Sequence, residues 1–573
     1  MENSALDTTS NSEAGELQPI AESGVSPISL DETNQQRWMI WALTLAAIVF
    51  SCGITVADPD LWGHTLYGLR AMELGVLAEP TDPFSYTALG NRWINHEWLT
   101  EYQFGWLWKH FGNGGLWGWR TVTACILFGL AAKSILRSQA NLGAAMLLLL
   151  FSGECLSSFF IFIRPQLATF VLFAMTLQIL RRHWDEPQNR WIFALPLLMG
   201  FWVNLHGGFL AGIAILGLFW AAWCLRALTD TQAPKPLLQL SLVSLATVPA
   251  TLVNPYGYEM HTMLWDHLVP EQAVAEWQPL WGARQAAVYY LPFILLGISL
   301  FGWRRWQSID VLILAFVTFA AVRHIRHGAL LCTTLLILAP GPLSDALNRL
   351  FPRIGVQFNS ANSCRRRWLA IVGSVGLLLL IQWPGTLELC RAGVYPWQIA
   401  VETSRNPPGV PWRAVSLMHA EKIDGNLVTD YAWGQYVIWQ LSPSVHVAFD
   451  GRYRTIYPDY IEREFLAFIR ADQPAGSRIA LLDDHPTEIV LLPARSAAAE
   501  KVNQRSDWVR ILHDDQASLF VKDIPKFHQV IERFRSENLS PPPPRRWTTF
   551  PAEFADANAH PSAIPPAANT RKK

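Results

Sequence analysis

Two carboxylates stand two residues apart where the first long apolar run of the chain ends: Ala57-Asp58-Pro59-Asp60-Leu61-Trp62-Gly63-His64. Pro59 fixes its own φ and biases Asp58 toward extended backbone, so Asp58 and Asp60 can converge on one ligand. A carboxylate so placed can take a proton from an incoming hydroxyl, or hold a divalent cation such as Mg or Mn on a phosphate. The bland alternative is that one of them caps a juxtamembrane helix. Further along come Thr81-Asp82-Pro83-Phe84-Ser85-Tyr86 and Asn95-His96-Glu97-Trp98-Leu99. Glu101 follows Glu97 by four residues and can share its helix face. Asp58, Asp60, His96 and Glu97 are therefore the candidate catalytic set. Asp58 and Asp60 are also the candidate metal ligands, and His64 is either a substrate contact or an ordinary interfacial histidine.

A donor that carries phosphate needs cations, and the forked Arg side chain binds phosphate oxygens in pairs. Arg164-Pro165-Gln166 lies between two apolar runs, where an Arg is costly unless it is used or snorkels. Arg323-His324-Ile325-Arg326-His327 sets cationic or titratable groups at all but one position between two others. Asn204-Leu205-His206-Gly207-Gly208 ends a further run, and its glycines would let a ligand approach the backbone closely. Arg164, Arg323, His324 and Arg326 are the phosphate-binding candidates and His206 a substrate-binding one, with interfacial snorkelling the competing account. Thr429-Asp430-Tyr431-Ala432-Trp433-Gly434 offers Asp430 and Trp433 as further substrate contacts, against a plain aromatic turn. Asp450-Gly451-Arg452 follows a short strand and could face the same cleft, although Asp-Gly is also an ordinary turn.

The elements that must position these groups follow from composition. The chain has 573 residues, 51% hydrophobic and only 16% charged, with 27 Trp, while its mean hydropathy is +0.17. About eleven spans of roughly 20 residues reconcile these values if large parts lie outside the bilayer. Apolar runs fall at 38–56, 115–132, 141–162, 167–181, 191–205, 208–225, 237–253, 288–303, 309–322, 328–340 and 368–383. Lys133, Arg137, Arg181, Arg182, Arg190, Arg226, Lys235, Arg304 and Arg305 crowd one set of short loops. The positive-inside bias then predicts a cytoplasmic N-terminus, with the 57–114 loop and everything after 383 on the outer face. Residues 1–37 are polar and acidic, and 541–573 are rich in Pro and Ala; both are expected to be disordered. Residues 384–540 alternate strand and helix patterns, which predicts an outward α/β domain. The expected fold is thus an α-helical polytopic membrane protein with a C-terminal extramembrane α/β domain. A net charge of −1 argues against nucleic acid as a partner, and the seven cysteines read as buried apolar residues rather than disulfides or metal ligands. Trp near the predicted interfaces reads as an aromatic belt.

The acidic first outward loop after a signal-anchor span resembles the GT-C superfamily of polytopic membrane glycosyltransferases. Asp58-Pro59-Asp60-Leu61-Trp62-Gly63-His64, Thr81-Asp82-Pro83-Phe84-Ser85-Tyr86 and Asn95-His96-Glu97-Trp98-Leu99 carry the likeness. Thr429-Asp430-Tyr431-Ala432-Trp433-Gly434 is a permuted echo of the WWDYG signature of oligosaccharyltransferase catalytic subunits, without the tandem Trp. The resemblance implies a cell-membrane (inner-membrane) multi-pass enzyme. It would move a sugar from a polyprenyl-phosphate-linked donor to an acceptor glycan, lipid or protein on the outer, periplasmic face, with an essential acid at Asp58 or Asp60. The competing readings are a non-catalytic transporter or membrane scaffold, and a metal-free lipid-linked glycan ligase.

Overall fold

In the computed structural model, residues 30–267, 275–282, 287–352, 364–391, 393–401, 409–472, 474, 477–536 and 549–552 are described. Helices occupy each of the apolar runs. The first, α1, runs Leu30–Ser51, α2 Leu61–Leu74, α3 Trp98–Arg137, α4 Leu142–Phe160, α5 Gln166–Asp185, α6 Leu195–Leu205 and α7 Phe209–Ala227. Later helices lie at Pro234–Thr251, Leu291–Leu300, Ser308–Arg323, Gly328–Leu338 and Cys364–Arg391. Among the described residues, four helices are long and apolar enough to cross a membrane, or five if the pair Ile325–Leu338 and Pro340–Leu350, bent by 76°, is one span. The remaining runs form helices that are too short or too polar to pass alone, so length and composition do not establish eleven spans. α1 begins at Leu30, inside the stretch expected to be disordered; residues 1–29 lie outside the described residues.

The helical bundle has one buried liability that organises it. Arg120, fully buried in α3, donates from Nη1 to the carbonyls of Ile54 (2.9 Å) and Phe160 (2.8 Å) and from Nη2 to that of Cys52 (2.8 Å). A cation placed where α1 and α4 end answers both the orphan carbonyls and the negative ends of the helix dipoles. α2 lies against the start of α3 at very short range. A Cβ on Gly68 would fall 1.9 Å from the carbonyl oxygen of Glu101, and one on Gly105 2.4 Å from the backbone nitrogen of Leu69. That crossing sets the side chains of α2 directly over the first turn of α3.

The C-terminal residues form a five-stranded sheet of order β2-β1-β3-β5-β4, with β1 Gly425–Thr429, β2 Val445–Val447, β3 Ile489–Pro493, β4 Trp508–His513 and β5 Ala517–Lys522. β1 is parallel to β2 and β3, and β4–β5 is an antiparallel hairpin beside β3. The β1-to-β2 crossover is the helix Tyr431–Leu441, as parallel pairing requires. The run Ile489–Leu492 is buried on both faces, which explains its unbroken apolar sequence.

The first loop joins this sheet instead of standing apart from it. Val447 donates to the Phe84 carbonyl (3.0 Å) and Tyr86 to that of Val447 (3.1 Å), so residues 84–86 extend the β2 edge. One apolar cluster contains Leu61, Trp62, Phe84 and Trp93 of the loop together with Leu427, Tyr436, Phe449 and Leu491. Arg452 fastens the two parts: its Nη1 lies 2.6 Å from Asp82 and its Nη2 2.6 Å from Asp450. Beneath them, Val56 bridges to Phe162 and Ala400, and Ala400 bridges to Thr549. Residues 549–552 thus depart from the disorder expected of the tail. Phe550 packs on Trp62, Trp108 and Trp439, and Trp62 Nε1 donates to the Pro551 carbonyl (2.9 Å). The other residues of 541–573 lie outside the described residues. The belt reading also needs correction in part: Trp38 is 71% exposed, but Trp62 and Trp93 are core residues.

Candidate active site

The backbone between α1 and α2 turns at Asp58-Pro59-Asp60, and both carboxylates are engaged at once. Asp58 is fully buried. Its Oδ1 accepts the Asp60 N–H (3.0 Å) and its Oδ2 meets Arg164 Nε (2.6 Å) and Nη2 (2.5 Å). Arg164, in the α4–α5 connection, reaches Glu276 with its remaining Nη1. Burial alone would weaken the guanidinium as a base, and its pairing with Asp58 and Glu276 raises its pKa instead. Asp60 is half-buried with no such partner. Burial, and then the adjacent Asp58 charge, push its carboxyl up to about 7. Its Oδ1 would lie 2.1 Å from a Cβ at Gly451, so the C-terminal residues reach the acidic turn itself.

Beside this pair lies a second cluster. His64 on α2 bonds Glu101 Oε1 through Nδ1 (2.9 Å) and sits 3.8 Å from Glu97 Oε2. Glu101 also accepts from Asn95 Nδ2. Burial lowers the His64 pKa, but the Glu101 hydrogen bond and the Glu97 charge overcome it and hold the ring up at about 9. Glu97, just before the first turn of α3, has Oε1 3.7 Å from His96 Nε2 and 3.5 Å from His206 Nε2. Burial raises its carboxyl, against the charges of His64, Arg326 and Arg164. Burial lowers His96 to about 4 and lowers His206 as well. Glu97 therefore stands among three imidazoles, one of them held up by carboxylates and two lowered by burial.

The cationic wall is completed from the other side of the bundle. Arg326 lies over the Trp277 ring (4.6 Å to its centroid), and its charge acts on Glu276, Arg164 and Glu97. Tyr431 and Tyr453, 5.9 Å apart, feel the Asp60 charge from the sheet side. An apolar groove of about 730 Å³ lies between α3, α5 and α6. Its lining includes Gln103, Leu107, Trp119, Ala168, Phe201 and Leu205; Ala168 and Leu205 directly precede Thr169 and His206.

The structure thus brings Asp58, Asp60, His64, His96, Glu97, Arg164, His206 and Arg326 together, and adds Glu101, Glu276 and Asn95. Five expectations change. Asp58 is paired with Arg164 and so does not present a free carboxylate pair with Asp60, whereas single ligand atoms of His64, Glu97 and Glu101 lie within 4.8 Å of one another. One imidazole and two carboxylates suit Mn²⁺. Arg323 is exposed at the end of its helix. His324 Nδ1 bonds the Trp277 carbonyl (2.6 Å), so it holds the segment carrying Glu276 and does not face a phosphate. Trp433 is buried and cannot stack on a sugar, while Asp430 caps its helix through the Ala432 N–H (2.9 Å). Glu101 was visible in the Glu97 spacing. Arg120 carries only a faint sequence signal, a lone Arg within the apolar run 115–132.

The fold has counterparts among known structures. The chain has a GT-C-like fold. It is similar to the oligosaccharyltransferase of Archaeoglobus fulgidus in the apo form, at 10% identity and a TM-score of 0.50, over 80% of this chain and 70% of that one. It is also similar to ArnT of Cupriavidus metallidurans in the apo state, at 14% identity and a TM-score of 0.47, over 86% of this chain and 98% of that one. No protein-family model matches the chain, and no curated protein does either.

Proposed function

We propose that this protein is a membrane glycosyltransferase that moves a sugar from a polyprenyl-phosphate-linked donor to an acceptor on the outer face of the membrane. The observation that carries the reading is a juxtaposition. A buried cluster of carboxylates, imidazoles and arginines and an apolar groove of about 730 Å³ between α3, α5 and α6 occur in one GT-C-like fold, and α3, α5 and α6 lead directly to the cluster's residues Glu97, Arg164 and His206. The groove suits a prenyl tail, and Arg326 suits the phosphate, because among the described residues no carboxylate pairs with it within ion-pair distance. Arg164, by contrast, is spent on Asp58 and Glu276. Asp60, titrating near neutrality, is matched to accept the proton of an acceptor hydroxyl as the sugar–phosphate bond breaks. The proton passes to Asp60, the hydroxyl oxygen forms the new glycosidic bond, and the phosphate leaves with the bonding electron pair. Glu97 and Glu101, together with His64 once it has lost its ring proton, would hold a divalent cation, which would supply charge stabilisation on the departing phosphate. Tyr431 and Tyr453 would flank the acceptor. The N-terminus is then cytoplasmic, and the sheet is outward.

Membranes enriched in the protein should transfer radiolabelled sugar from a polyprenyl-phosphate donor to a membrane-borne acceptor, and Asp60→Asn should reduce that transfer at least a hundredfold. Undiminished transfer by Asp60→Asn removes Asp60 from the mechanism.

A further inference from the structure

The tautomer of His206 can be read from its partners alone. The Gly208 N–H can only donate, and it points at His206 Nδ1 from 2.8 Å. Trp202 Nε1–H can also only donate, and it points at Thr169 Oγ1 from 3.0 Å. Thr169 Oγ1 also lies 3.0 Å from the same His206 Nδ1. The Gly208 N–H by itself requires Nδ1 to present its lone pair, and the Thr169 hydroxyl then has to donate to that atom. The ring proton lies on Nε2, the atom 3.5 Å from Glu97 Oε1.

The packing leaves this arrangement little freedom. Trp202 is fully buried, and Thr169 and His206 are buried beside it. A Cβ at Gly208 would fall 2.4 Å from Thr169 Oγ1 and 2.9 Å from His206 Nδ1. The glycine admits the threonine, not a ligand as the sequence suggested. We infer that Trp202 and Thr169 lock His206 as an Nε2–H donor, making it a positioning residue that fixes the Glu97 carboxylate. Oε1 is held toward His206 and His96. Oε2 is left facing His64, 3.8 Å away, on the side where Glu101 also presents an oxygen. His206 has no lone pair to offer at Nε2, so it is neither a metal ligand nor a proton acceptor there. A histidine–carboxylate pair of this kind sets the orientation on which a catalytic or metal-binding carboxylate depends. The positioning role rests on the transferase reading; the tautomer does not.

The test uses full-length ¹⁵N-histidine-labelled protein in lipid bilayers, with His206 assigned by its disappearance in His206→Gln. The wild-type spectrum should show a protonated Nε2 and a bare, hydrogen-bonded Nδ1. A proton on Nδ1, or on both nitrogens, overturns the inference without any substrate and without any variant. Thr169→Val, which keeps the shape and removes the hydroxyl, should shift the Nδ1 resonance and lower kcat about fivefold with the donor KM unchanged; Thr169→Ser should restore both. Unchanged kcat in a Thr169→Val protein whose His206 resonance has moved overturns the positioning role. Because the tautomer is read without turnover, its failure is separable from a failure to detect sugar transfer.

Discussion

Replacing Arg452 with Met tests whether the first loop and the C-terminal sheet form one body around the site. Arg452 is buried, and so are both its carboxylate partners. Its guanidinium makes contacts of 2.6 Å to Asp82 and 2.6 Å to Asp450, and it lies 5.4, 5.2 and 5.0 Å from the ring centres of Tyr67, Phe84 and Trp93. The two carboxylates keep other donors, the Phe84 and Ser85 N–H groups on Asp82 and the Tyr457 hydroxyl on Asp450. These blunt the loss but do not neutralise the charge. Removing one partner of a buried ion pair costs about 3–5 kcal/mol. Loss of the ring contacts adds roughly 1–2 kcal/mol, since the cation is desolvated. At about 2 °C per kcal/mol for a large domain, the thermal midpoint in detergent should fall by roughly 8–14 °C. The triple variant Arg452→Met, Asp82→Asn, Asp450→Asn should recover part of that fall, because it leaves no unpaired buried charge. Tryptophan fluorescence melts of the purified proteins give the comparison. A midpoint within about 2 °C of wild type for Arg452→Met would refute the claim that this ion triad holds the loop to the sheet.

Three further outcomes follow from the site. With the Asp60 carboxyl held at about 7, the ionised base accumulates as pH rises, so transfer should climb through neutrality and level off above it; a flat profile between pH 5 and 9, roughly two units either side, contradicts its role. Gly451→Ala places a Cβ 2.1 Å from Asp60 Oδ1 and 3.0 Å from Gln435 Nε2, so transfer should fall about 10- to 100-fold while circular dichroism stays unchanged. Arg326→Gln should raise the donor KM about tenfold, whereas Arg323→Gln, altering an exposed side chain, should leave it unchanged; equal effects would remove the distinction between the two arginines.

How much of this was legible in the chain depends on the range over which each feature is determined. The five strands fall where β-branched and apolar runs lie between turn residues, as at Leu427–Thr429 and Ile489–Leu492, because strand pattern is a local property. The acidic turn was legible for the same reason: Asp58 and Asp60 follow an apolar run and flank a proline. What each carboxylate does was not legible. Arg164 lies 106 positions from Asp58, and only the fold decides that the nearer acid is neutralised while Asp60 is left to titrate. Likewise the Glu97–Glu101 spacing was visible, but His64 enters between them only because Gly68 and Gly105 let α2 and α3 touch. Arg323 and Arg326 are three residues apart, and the short helical turn at Ile325–His327 separates their directions. Trp433 lies in a motif-like string but is core: its helix is buried on every side from Trp433 to Trp439, and such a helix looks the same in sequence whether or not a ligand is near.

The central claim is that Glu97 and its ring of histidines belong to a sugar-transfer centre. Purified protein in proteoliposomes, given a polyprenyl-phosphate-linked sugar and a membrane-extracted acceptor, should release free polyprenyl phosphate in step with glycosylated product. Glu97→Gln should lower that release at least a hundredfold while the protein still binds the donor. Release at the wild-type rate by Glu97→Gln, or binding of the donor with no release by the wild-type protein under any acceptor fraction, would contradict the account.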